Sequence, residues 1–354
     1  MPPSIPQLMH AVLLNGHGGL DKLEYRSDVP VPVPKTDEVL INVKSAGINN
    51  TDINTRIGWY SKSSVEDTDE RSWSGNPLNF PIIQGADICG NIVAVGSSMN
   101  AKRIGERVIV RTMQDVPSKK KNYSTWTVGS ECNGGFAQYC AIRSSEAFSL
   151  NSNWSDIELA SIPCAYSTAE GLLQRSKAGK ETILITGASG GVGSAAIQLA
   201  KLRGANVIAQ CAKEKKDEII KIGADQIVFR DNDLTNILGK NSVDIIIDLV
   251  GGSHWKQLLE ILKPGGKYAT SGAIAGPIVE LDLRTLYLKD LTMFGCTYQP
   301  KNVFINLIRY IEDNKILPLV AKTYPLHHIK QAQEDFILKK HTGKLVLITP
   351  DSNI

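Results

Sequence analysis

The run Gly187-Ala188-Ser189-Gly190-Gly191-Val192-Gly193 combines residue types and a spacing that suit the binding of an anion. The apolar stretch 183–186 leads straight into it and small residues follow, as at a strand, a tight turn and a helix N-terminus. Backbone N–H groups and the helix dipole converge there on a phosphate, and glycine permits close approach. Ala188 replaces the first glycine of the G-x-G-x-x-G fingerprint. We predict a loop that cradles the pyrophosphate of a dinucleotide; the alternative is a glycine-rich turn without a ligand.

The end of the next predicted strand indicates the type of dinucleotide. An NAD site usually carries Asp or Glu there, about 20 residues beyond the loop, to hold the ribose 2′-OH. Here the strand ends at Gln210, and Lys213 and Lys215 follow it. Arg230 lies at the end of the strand after that. Because cations at this place bind a 2′-phosphate, we predict NADPH (NADP) rather than NADH. Solvated surface lysines are the alternative.

Two patterns of elements must position these residues. Short alternating strands bounded by turn residues dominate the first part of the chain. They are predicted at residues 10–14, 39–44, 90–95, 107–112 and 136–142. From about residue 156, strands alternate with helices, which predicts an α/β domain with a doubly wound parallel sheet. Its strands are predicted at residues 183–186, 206–210, 226–229, 244–249, 267–271 and 291–296.

The remaining segments complete this organisation. The tail contains two amphipathic helix patterns and a terminal strand, at residues 303–312, 328–338 and 344–348. Two polar stretches, residues 61–78 and 113–133, are predicted to be exposed loops. A chain of 354 residues exceeds what one hydrophobic core usually serves, so two domains are expected.

Composition limits the class of partner. The net charge of +3 is too small to indicate nucleic acid or a membrane surface. No apolar run approaches the ~20 residues of a membrane helix, and the N-terminus lacks the pattern of a signal peptide. The six cysteines are scattered, which indicates free thiols. We therefore predict a soluble cytoplasmic protein that binds small molecules.

Several further segments carry a resemblance to a known family. They are Ser-Ala-Gly-Ile-Asn-Asn-Thr-Asp (45–52), Gly-Ala-Asp-Ile-Cys-Gly (85–90), Gly-Gly-Phe-Ala-Gln-Tyr (134–139), Ala-Tyr-Ser-Thr-Ala (165–169) and Gly-Lys-Leu-Val-Leu (343–347). Together with the glycine loop they resemble the medium-chain dehydrogenase/reductase superfamily over nearly the full length. The resemblance implies a GroES-like, β-rich catalytic domain at residues 1–155 and 303–354. A Rossmann NADP-binding domain at residues 156–302 would interrupt it.

Departures from the superfamily pattern indicate the branch. Zinc alcohol dehydrogenases place a Cys where this chain has Asn49 and a His where it has Ala86. A tetrahedral catalytic zinc needs three such ligands, and Cys164 alone, near the third position, does not hold one. We interpret Cys164 as a buried small side chain. The four-cysteine structural zinc lobe is also absent, since residues 113–133 contain only Cys132. The chain therefore resembles the zinc-independent quinone oxidoreductase branch, to which zeta-crystallin belongs.

The branch implies roles for particular residues. Asn49 and Tyr60 would line the nicotinamide and substrate pocket as catalytic residues, and Thr168 would approach the nicotinamide. Further residues would contact the cofactor: Lys215, Arg230, Val250, Ser271, Gly272, Ala273 and, from the final strand, Lys344. As alternatives, Asn49 satisfies backbone groups in a turn and Tyr60 packs beside Trp59. Asp52 and Asp87 are predicted to form a structural hydrogen-bonding or salt-bridging pair, with catalytic acids as the alternative and Arg56 as a candidate partner for either.

These features favour hydride transfer from NADPH to a quinone or an enone. A conjugated acceptor delocalises the incoming charge and needs less help than a simple ketone, for which zinc supplies the electrophile. Two alternatives stay open: a zinc-type alcohol dehydrogenase, and a non-catalytic NADPH-binding protein with a structural or nucleic-acid-binding role. Family resemblance also implies a homodimer or higher homo-oligomer. The predicted strand 291–296 is a candidate edge for pairing two sheets.

Overall fold

A computed structural model describes residues 5–60, 77–116 and 124–351. The strands are β1 (Leu8–Leu14), β2 (Leu23–Pro30), β3 (Glu38–Gly47), β4 (Ile82–Ile83), β5 (Cys89–Val95), β6 (Arg107–Val110), β7 (Met113–Asp115), β8 (Thr125–Thr127), β9 (Tyr139–Arg143), β10 (Ala147–Ser149), β11 (Thr182–Ile185), β12 (Asn206–Cys211), β13 (Gln226–Phe229), β14 (Val243–Asp248), β15 (Leu262–Thr270), β16 (Thr292–Gly295), β17 (Val320–Pro325) and β18 (Lys344–Ile348). The α-helices are α1 (Asn50–Arg56), α2 (Asp156–Leu159), α3 (Pro163–Arg175), α4 (Gly191–Leu202), α5 (Lys216–Lys221), α6 (Leu234–Leu238), α7 (Trp255–Ile261), α8 (Leu283–Leu288), α9 (Lys301–Glu312) and α10 (Ile329–Ile337).

The chain forms two compact units. Unit 1 comprises Met1–Cys164, Pro318–Lys340 and Lys344–Ile354. Unit 2 comprises Ala165–Leu317 and His341–Gly343. Unit 1 is therefore discontinuous in sequence, and unit 2 interrupts it.

The joins between the units differ from the predicted ones, which were placed before residues 156 and 303. Helix α9 and the segment after it, to Leu317, belong to unit 2. The hydrogen bonds of Leu317 show why. Its carbonyl oxygen accepts from Tyr166 Oη at 2.7 Å and from Gln198 Nε2 at 3.1 Å, and its N–H donates to Gln198 Oε1 at 2.7 Å. The side chains of α3 and α4 thus hold this segment.

The sheet of unit 2 confirms the predicted doubly wound fold. Its six strands are all parallel, in the order β13-β12-β11-β14-β15-β16. Residues Ile183–Ile185 of β11 are fully buried, as a strand covered on both faces requires. The direction of winding reverses between β11 and β14, and ligands of such sheets bind beyond the carboxyl ends of the strands at this point. The glycine loop follows β11 directly and so lies there.

Unit 1 is built on a seven-stranded sheet with the order β10-β6-β5-β3-β18-β17, in which β9 also pairs with β3. Strand β18 is antiparallel to β3 and parallel to β17. Because Val346 of β18 pairs with Gly47 of β3, Lys344 at the start of β18 lies beside the segment that follows β3. That segment carries Asn49 and opens helix α1.

The prediction of an exposed loop at residues 113–133 is wrong for two segments, Met113–Asp115 and Thr125–Thr127. Strands β7 and β8 form an antiparallel hairpin there, with Met113 and Thr127 buried. Residues 117–123 of this loop and residues 61–76 of the other predicted loop lie outside the described residues. Throughout the described ranges, none of the helices combines the length and apolar character that crossing a membrane requires.

Candidate functional site

The glycine loop of unit 2 is open on one side and closely packed on the other. Helix α4 begins at Gly191, and its N-cap Gly190 (φ −75°, ψ 171°) provides no side-chain bond to the first turn. A side-chain carbon at Gly193 would lie 2.3 Å from the carbonyl oxygen of Gly187, so only glycine fits. At exposed Gly190 the nearest atom would be 3.5 Å away. The uncapped first turn and this open face fit a phosphate group.

The loop is held in place by backbone bonds on both sides. The N–H of Ala188 donates to the carbonyl oxygen of Gln210 at 3.1 Å, which ties the loop to the end of β12. The N–H of Gly343 donates to the carbonyl oxygen of Ser189 at 2.9 Å. Ala188 and Ser189 are buried, whereas Val192 is half-buried. The loop therefore has a fixed shape with its outer surface accessible.

The end of β12 combines an unsatisfied donor with neighbouring cations. Gln210 is only 5% exposed, and its Nε2 has no hydrogen-bond acceptor among the described residues. Lys215 is buried and donates to the carbonyl oxygen of His341. Burial has the largest effect in lowering the pKa of Lys215, and the positive charge of Arg230 lowers it further. Arg230 and Lys213 are exposed. An anion placed beside Lys215 and Arg230 would relieve their repulsion, so these residues fit a 2′-phosphate.

Asp248 organises the carboxyl ends of three strands, and the sequence analysis missed it. Its carboxylate accepts from Thr186 Oγ1 at 2.6 Å, from the N–H of Val250 at 2.9 Å and from Tyr268 Oη at 2.5 Å. Burial, and next the carboxylate of Asp248, raise the pKa of Tyr268. The sequence signal for Asp248 was its place at the end of a buried, mostly apolar strand. A carboxylate buried there requires hydrogen-bond donors from neighbouring elements.

The other predicted cofactor residues of unit 2 lie at these strand ends and on α3. Gly272 and Ala273 line a cavity of about 270 Å³ whose walls include Trp255 and Tyr268. Ser271 beside them is exposed. Val250 follows Asp248, as described above. Thr168 on α3 is buried, and its hydroxyl accepts from Gln299 Nε2 at 3.4 Å. The predicted set thus gathers in two places, around the strand ends and at α3.

Unit 1 contains a buried polar cluster formed by Asn49, Asp87 and Lys344. Lys344 Nζ donates to Asn49 Oδ1 and, at 2.9 Å, to Asp87 Oδ2. Asn49 Nδ2 donates to the same Asp87 oxygen at 2.8 Å and to the carbonyl oxygen of Gly47 at 3.3 Å. The other Asp87 oxygen accepts from the N–H of Cys164 at 2.6 Å. Asp87 therefore has its counter-ion and several donors.

The partner predicted for the acidic pair is wrong. Arg56 donates through Nε to Gln333 Oε1 at 2.8 Å and through Nη1 to the carbonyl oxygen of Gly18 at 2.7 Å. The cation beside Asp87 is Lys344, with an N–O distance of 2.9 Å. Although Arg56 lies about one helical turn after Asp52 in α1, its guanidinium is directed towards Gly18 and α10.

Asp52 forms a capping box with Asn49 at the start of α1. Its carboxylate accepts from the N–H of Asn49 at 2.8 Å and from the N–H of Gly85 at 3.3 Å. Burial raises its pKa to about 7, against the lowering effects of the Asn49 bond and of Lys344; Asp87 adds to the rise. Near neutral pH, the carboxyl group of Asp52 is therefore partly protonated, whereas an exposed Asp is ionised.

Tyr60 offers a hydroxyl group close to the same helix. Asn54 Nδ2 donates to its oxygen at 3.3 Å, and Thr51 shares a further hydrogen bond with it. Burial raises the pKa of Tyr60, and Cys164 is near enough to contribute. Thr51, two residues after Asn49, was not singled out from the sequence. Thr51 is buried, and its position in the first turn of α1, close to Asn49 in sequence, was the available signal.

The residues at positions 49 and 86 do not fit the ligation of a tetrahedral zinc ion. The oxygen of Asn49 binds an ammonium group, and Ala86 packs with Met113 and Cys164 in a small buried cluster. Zinc needs Cys, His or carboxylate ligands, and Ala supplies none. Within the described ranges, His, Cys, Asp and Glu side chains form no group of three or more that could hold a metal ion.

Comparisons with known proteins agree with this fold. The family model described as "Alcohol dehydrogenase GroES-like domain" matches residues 35–152, and "Zinc-binding dehydrogenase" matches residues 191–313. A candidate alcohol dehydrogenase from Sinorhizobium meliloti 1021 has a solved structure with 44% identity and a TM-score of 0.92, covering 98% of each chain. The quinone oxidoreductase of Homo sapiens is 28% identical, over 97% of this chain and 98% of its own. The acryloyl-coenzyme A reductase of Sulfurisphaera tokodaii is 28% identical, over 97% and 100%.

The chain therefore belongs to the medium-chain dehydrogenase/reductase superfamily of pyridine-nucleotide-dependent oxidoreductases, on its quinone oxidoreductase branch. This confirms the resemblance and the GroES-like and Rossmann folds predicted from the sequence. The roles of the individual site residues stay predictions.

Proposed function

We propose that the protein is an NADPH-dependent reductase of conjugated carbonyl compounds, quinones or enones, that works without catalytic zinc. One observation carries the proposal. At the two positions where zinc alcohol dehydrogenases have ligands, this chain has Asn49, bonded to the ammonium of Lys344, and Ala86, packed against Met113 and Cys164. These two positions supply no ligand for a metal that would polarise a simple ketone or alcohol.

The chemistry of a conjugated acceptor matches these residues. The bound reduced nicotinamide supplies a hydride, and conjugation spreads the resulting negative charge onto the carbonyl oxygen. Hydrogen-bond donors then suffice to stabilise that oxygen. The names of two relatives support the choice, because a quinone and an acryloyl thioester both join a C=C bond to a C=O group. Two sources of the proton are proposed: solvent, and the hydroxyl group of Tyr60, which shares a hydrogen bond with Thr51.

The preference for NADPH is proposed on the residues around the end of β12. Gln210 stands where an NAD site usually has an acid, so no carboxylate at that position repels a 2′-phosphate. Arg230 is close enough to Lys215 for its charge to lower the pKa of that lysine. A phosphate between them would gain two charge-assisted interactions.

The experiment measures cofactor oxidation by purified protein with a benzoquinone, a naphthoquinone, an enone and the matching saturated ketone, alongside its zinc content. We expect turnover of the conjugated compounds only, with no loss after chelation. Lys215→Gln should raise KM for NADPH about tenfold or more but leave KM for NADH nearly unchanged, since a charge-assisted bond contributes about 1.5–3 kcal/mol. Lys221→Gln, an exposed lysine on α5, is the matched control.

Two outcomes would contradict the proposal. Turnover of the saturated ketone together with stoichiometric zinc would identify a zinc-type alcohol dehydrogenase. Tight NADPH binding with no turnover of any acceptor would identify a non-catalytic binding protein.

A further inference from the structure

Lys344 carries a buried positive charge to which the proposed function assigns no chemical task. Its side chain is 4% exposed, and that of its partner Asp87 is fully buried. Removing two charges from water costs free energy that their mutual attraction often fails to recover. A buried ion pair is therefore a poor source of stability by itself.

The cluster leaves one donor open, and it belongs to Lys344. An ammonium group has three N–H donors, whereas an Asn amide has two. Both amide donors of Asn49 are used, by Asp87 and by the carbonyl oxygen of Gly47. Lys344 Nζ uses two of its donors, on Asn49 and Asp87, and for the third no acceptor exists among the residues that the structure describes.

The ammonium group is also held rigidly. Asp87, on one side of it, is fixed in turn by the N–H of Cys164 at 2.6 Å. A side-chain carbon at Gly47 would come within 2.5 Å of the Asp87 carboxylate, so the backbone packs directly against it. A charge fixed in advance stabilises a developing negative charge without the cost of reorienting, which is the main source of electrostatic catalysis.

We propose that the ammonium group of Lys344 binds the carbonyl oxygen of the acceptor and stabilises the negative charge that this oxygen gains during reduction. Lys344 is bonded to the side chain of residue 49, where zinc alcohol dehydrogenases have a metal ligand, so a fixed cation takes the place of the metal. The inference rests on the proposed function and names its electrophile.

The electron balance of the step is simple. Hydride brings two electrons and forms a C–H bond at the β-carbon of the enone. The π pair of the C=C bond moves to the neighbouring C–C bond, and the π pair of the C=O bond moves to oxygen, which faces the open donor of Lys344. A proton from solvent or Tyr60 then bonds to the α-carbon and restores the C=O bond, while the cofactor leaves oxidised.

The first test uses binding and needs no turnover. 4-Nitrophenol, whose phenolate oxygen resembles the enolate oxygen, is titrated by absorbance in the presence of oxidised cofactor. We expect wild-type protein to lower the pKa of the bound phenol by about one unit or more, since a nearby opposite charge shifts a pKa by about 1–3 units. Lys344→Gln should abolish the shift while still donating a hydrogen bond to Asp87, and Lys344→Arg should keep most of it. Lys339→Met, which removes an ammonium bonded to Asn50 in the same unit, should behave as wild type.

The second test is kinetic and separates the two proposals. Lys344→Gln should lower kcat/KM for an enone by about 100-fold or more, the usual effect of losing one oxyanion donor, and Lys344→Arg should restore part of it. The dissociation constant of NADPH should stay within about twofold, whereas losing the cofactor contact that the resemblance implies for Lys344 would raise it. If wild type reduces no conjugated acceptor, the proposed function fails while the phenol titration still decides the role of Lys344. The inference is overturned if the bound phenol has the same pKa in folded Lys344→Gln as in wild type. The same holds if the variant binds NADPH more weakly while the pKa of the bound phenol stays at its wild-type value.

Discussion

The buried carboxyl group of Asp52 should make the stability of unit 1 depend on pH, and replacing it with Asn should remove that dependence. Burial raises its pKa from 3.8 to about 7, and its side chain is only 2% exposed in total. For an acid with a raised pKa, the folded protein holds a proton that the unfolded chain releases. The stabilising contribution is complete below the unfolded pKa and is lost as the pH rises towards 7.

The size of the effect follows from the shift. Each pKa unit corresponds to about 1.36 kcal/mol, so wild type should lose about 2.7 kcal/mol relative to Asp52→Asn between pH 5 and pH 8. The variant keeps an acceptor oxygen for the N–H of Asn49, which preserves the cap of α1. At pH 8 it should therefore be the more stable of the two proteins, or close to it.

Urea unfolding of both proteins, at half-unit steps from pH 5 to pH 8, measures the difference in the free energy of unfolding. Asp37→Asn, at an exposed carboxylate of the same unit, is the control and should give a constant difference from wild type. A constant difference for Asp52→Asn as well would refute the reasoning, because it would mean that Asp52 is ionised in both states across this range.

Three further predictions concern the glycine loop and the oligomer. Gly193→Ala should lower the free energy of unfolding by about 1–3 kcal/mol or more, because its methyl group would lie 2.3 Å from the carbonyl oxygen of Gly187. Gly190→Ala should fold normally but bind NADPH about tenfold more weakly. Calorimetry that found equal NADPH binding would contradict the phosphate site. We also propose a homodimer through the edge strand β16 and helix α8, which precedes it in the chain and in which Leu288 is 71% exposed. Light scattering should then show a wild-type dimer and a Leu288→Glu monomer, with Val33→Glu in unit 1 still dimeric, and a monomeric wild type would exclude this interface.

Local signals allowed much of unit 2 to be predicted. An apolar strand, a glycine run and a stretch of small residues specify a strand, a turn and a helix within about 20 residues of sequence, so few other structures satisfy them. The end of α4 has an equally clear local signal, since Gly204, with φ of 81°, closely follows its last residue Leu202. Strand β18 was also predicted with its observed bounds, Lys344–Ile348.

The polar cluster of unit 1 could not be predicted in the same way. Lys344 is 257 residues from Asp87 and 295 from Asn49, so no spacing in the sequence relates them. Arg56 was preferred because it is near in sequence, whereas sheet pairing decides which charge arrives. The hairpin of β7 and β8 was missed because its polar composition is typical of a loop, and only pairing reveals it as two strands.

The pairing of β3 with β18 has a consequence for how the protein is made. Strand β3 leaves the ribosome early, but its neighbour arrives only after the whole of unit 2 has been synthesised, since Val346 pairs with Gly47. Until then the Asp87 carboxylate has no counter-ion, and the end of β3 at Ser45–Gly47 is an open edge. Such long-range pairing is slow and exposes strand edges to aggregation. We therefore expect unit 2 to fold first during translation and the cluster around Lys344 to assemble last.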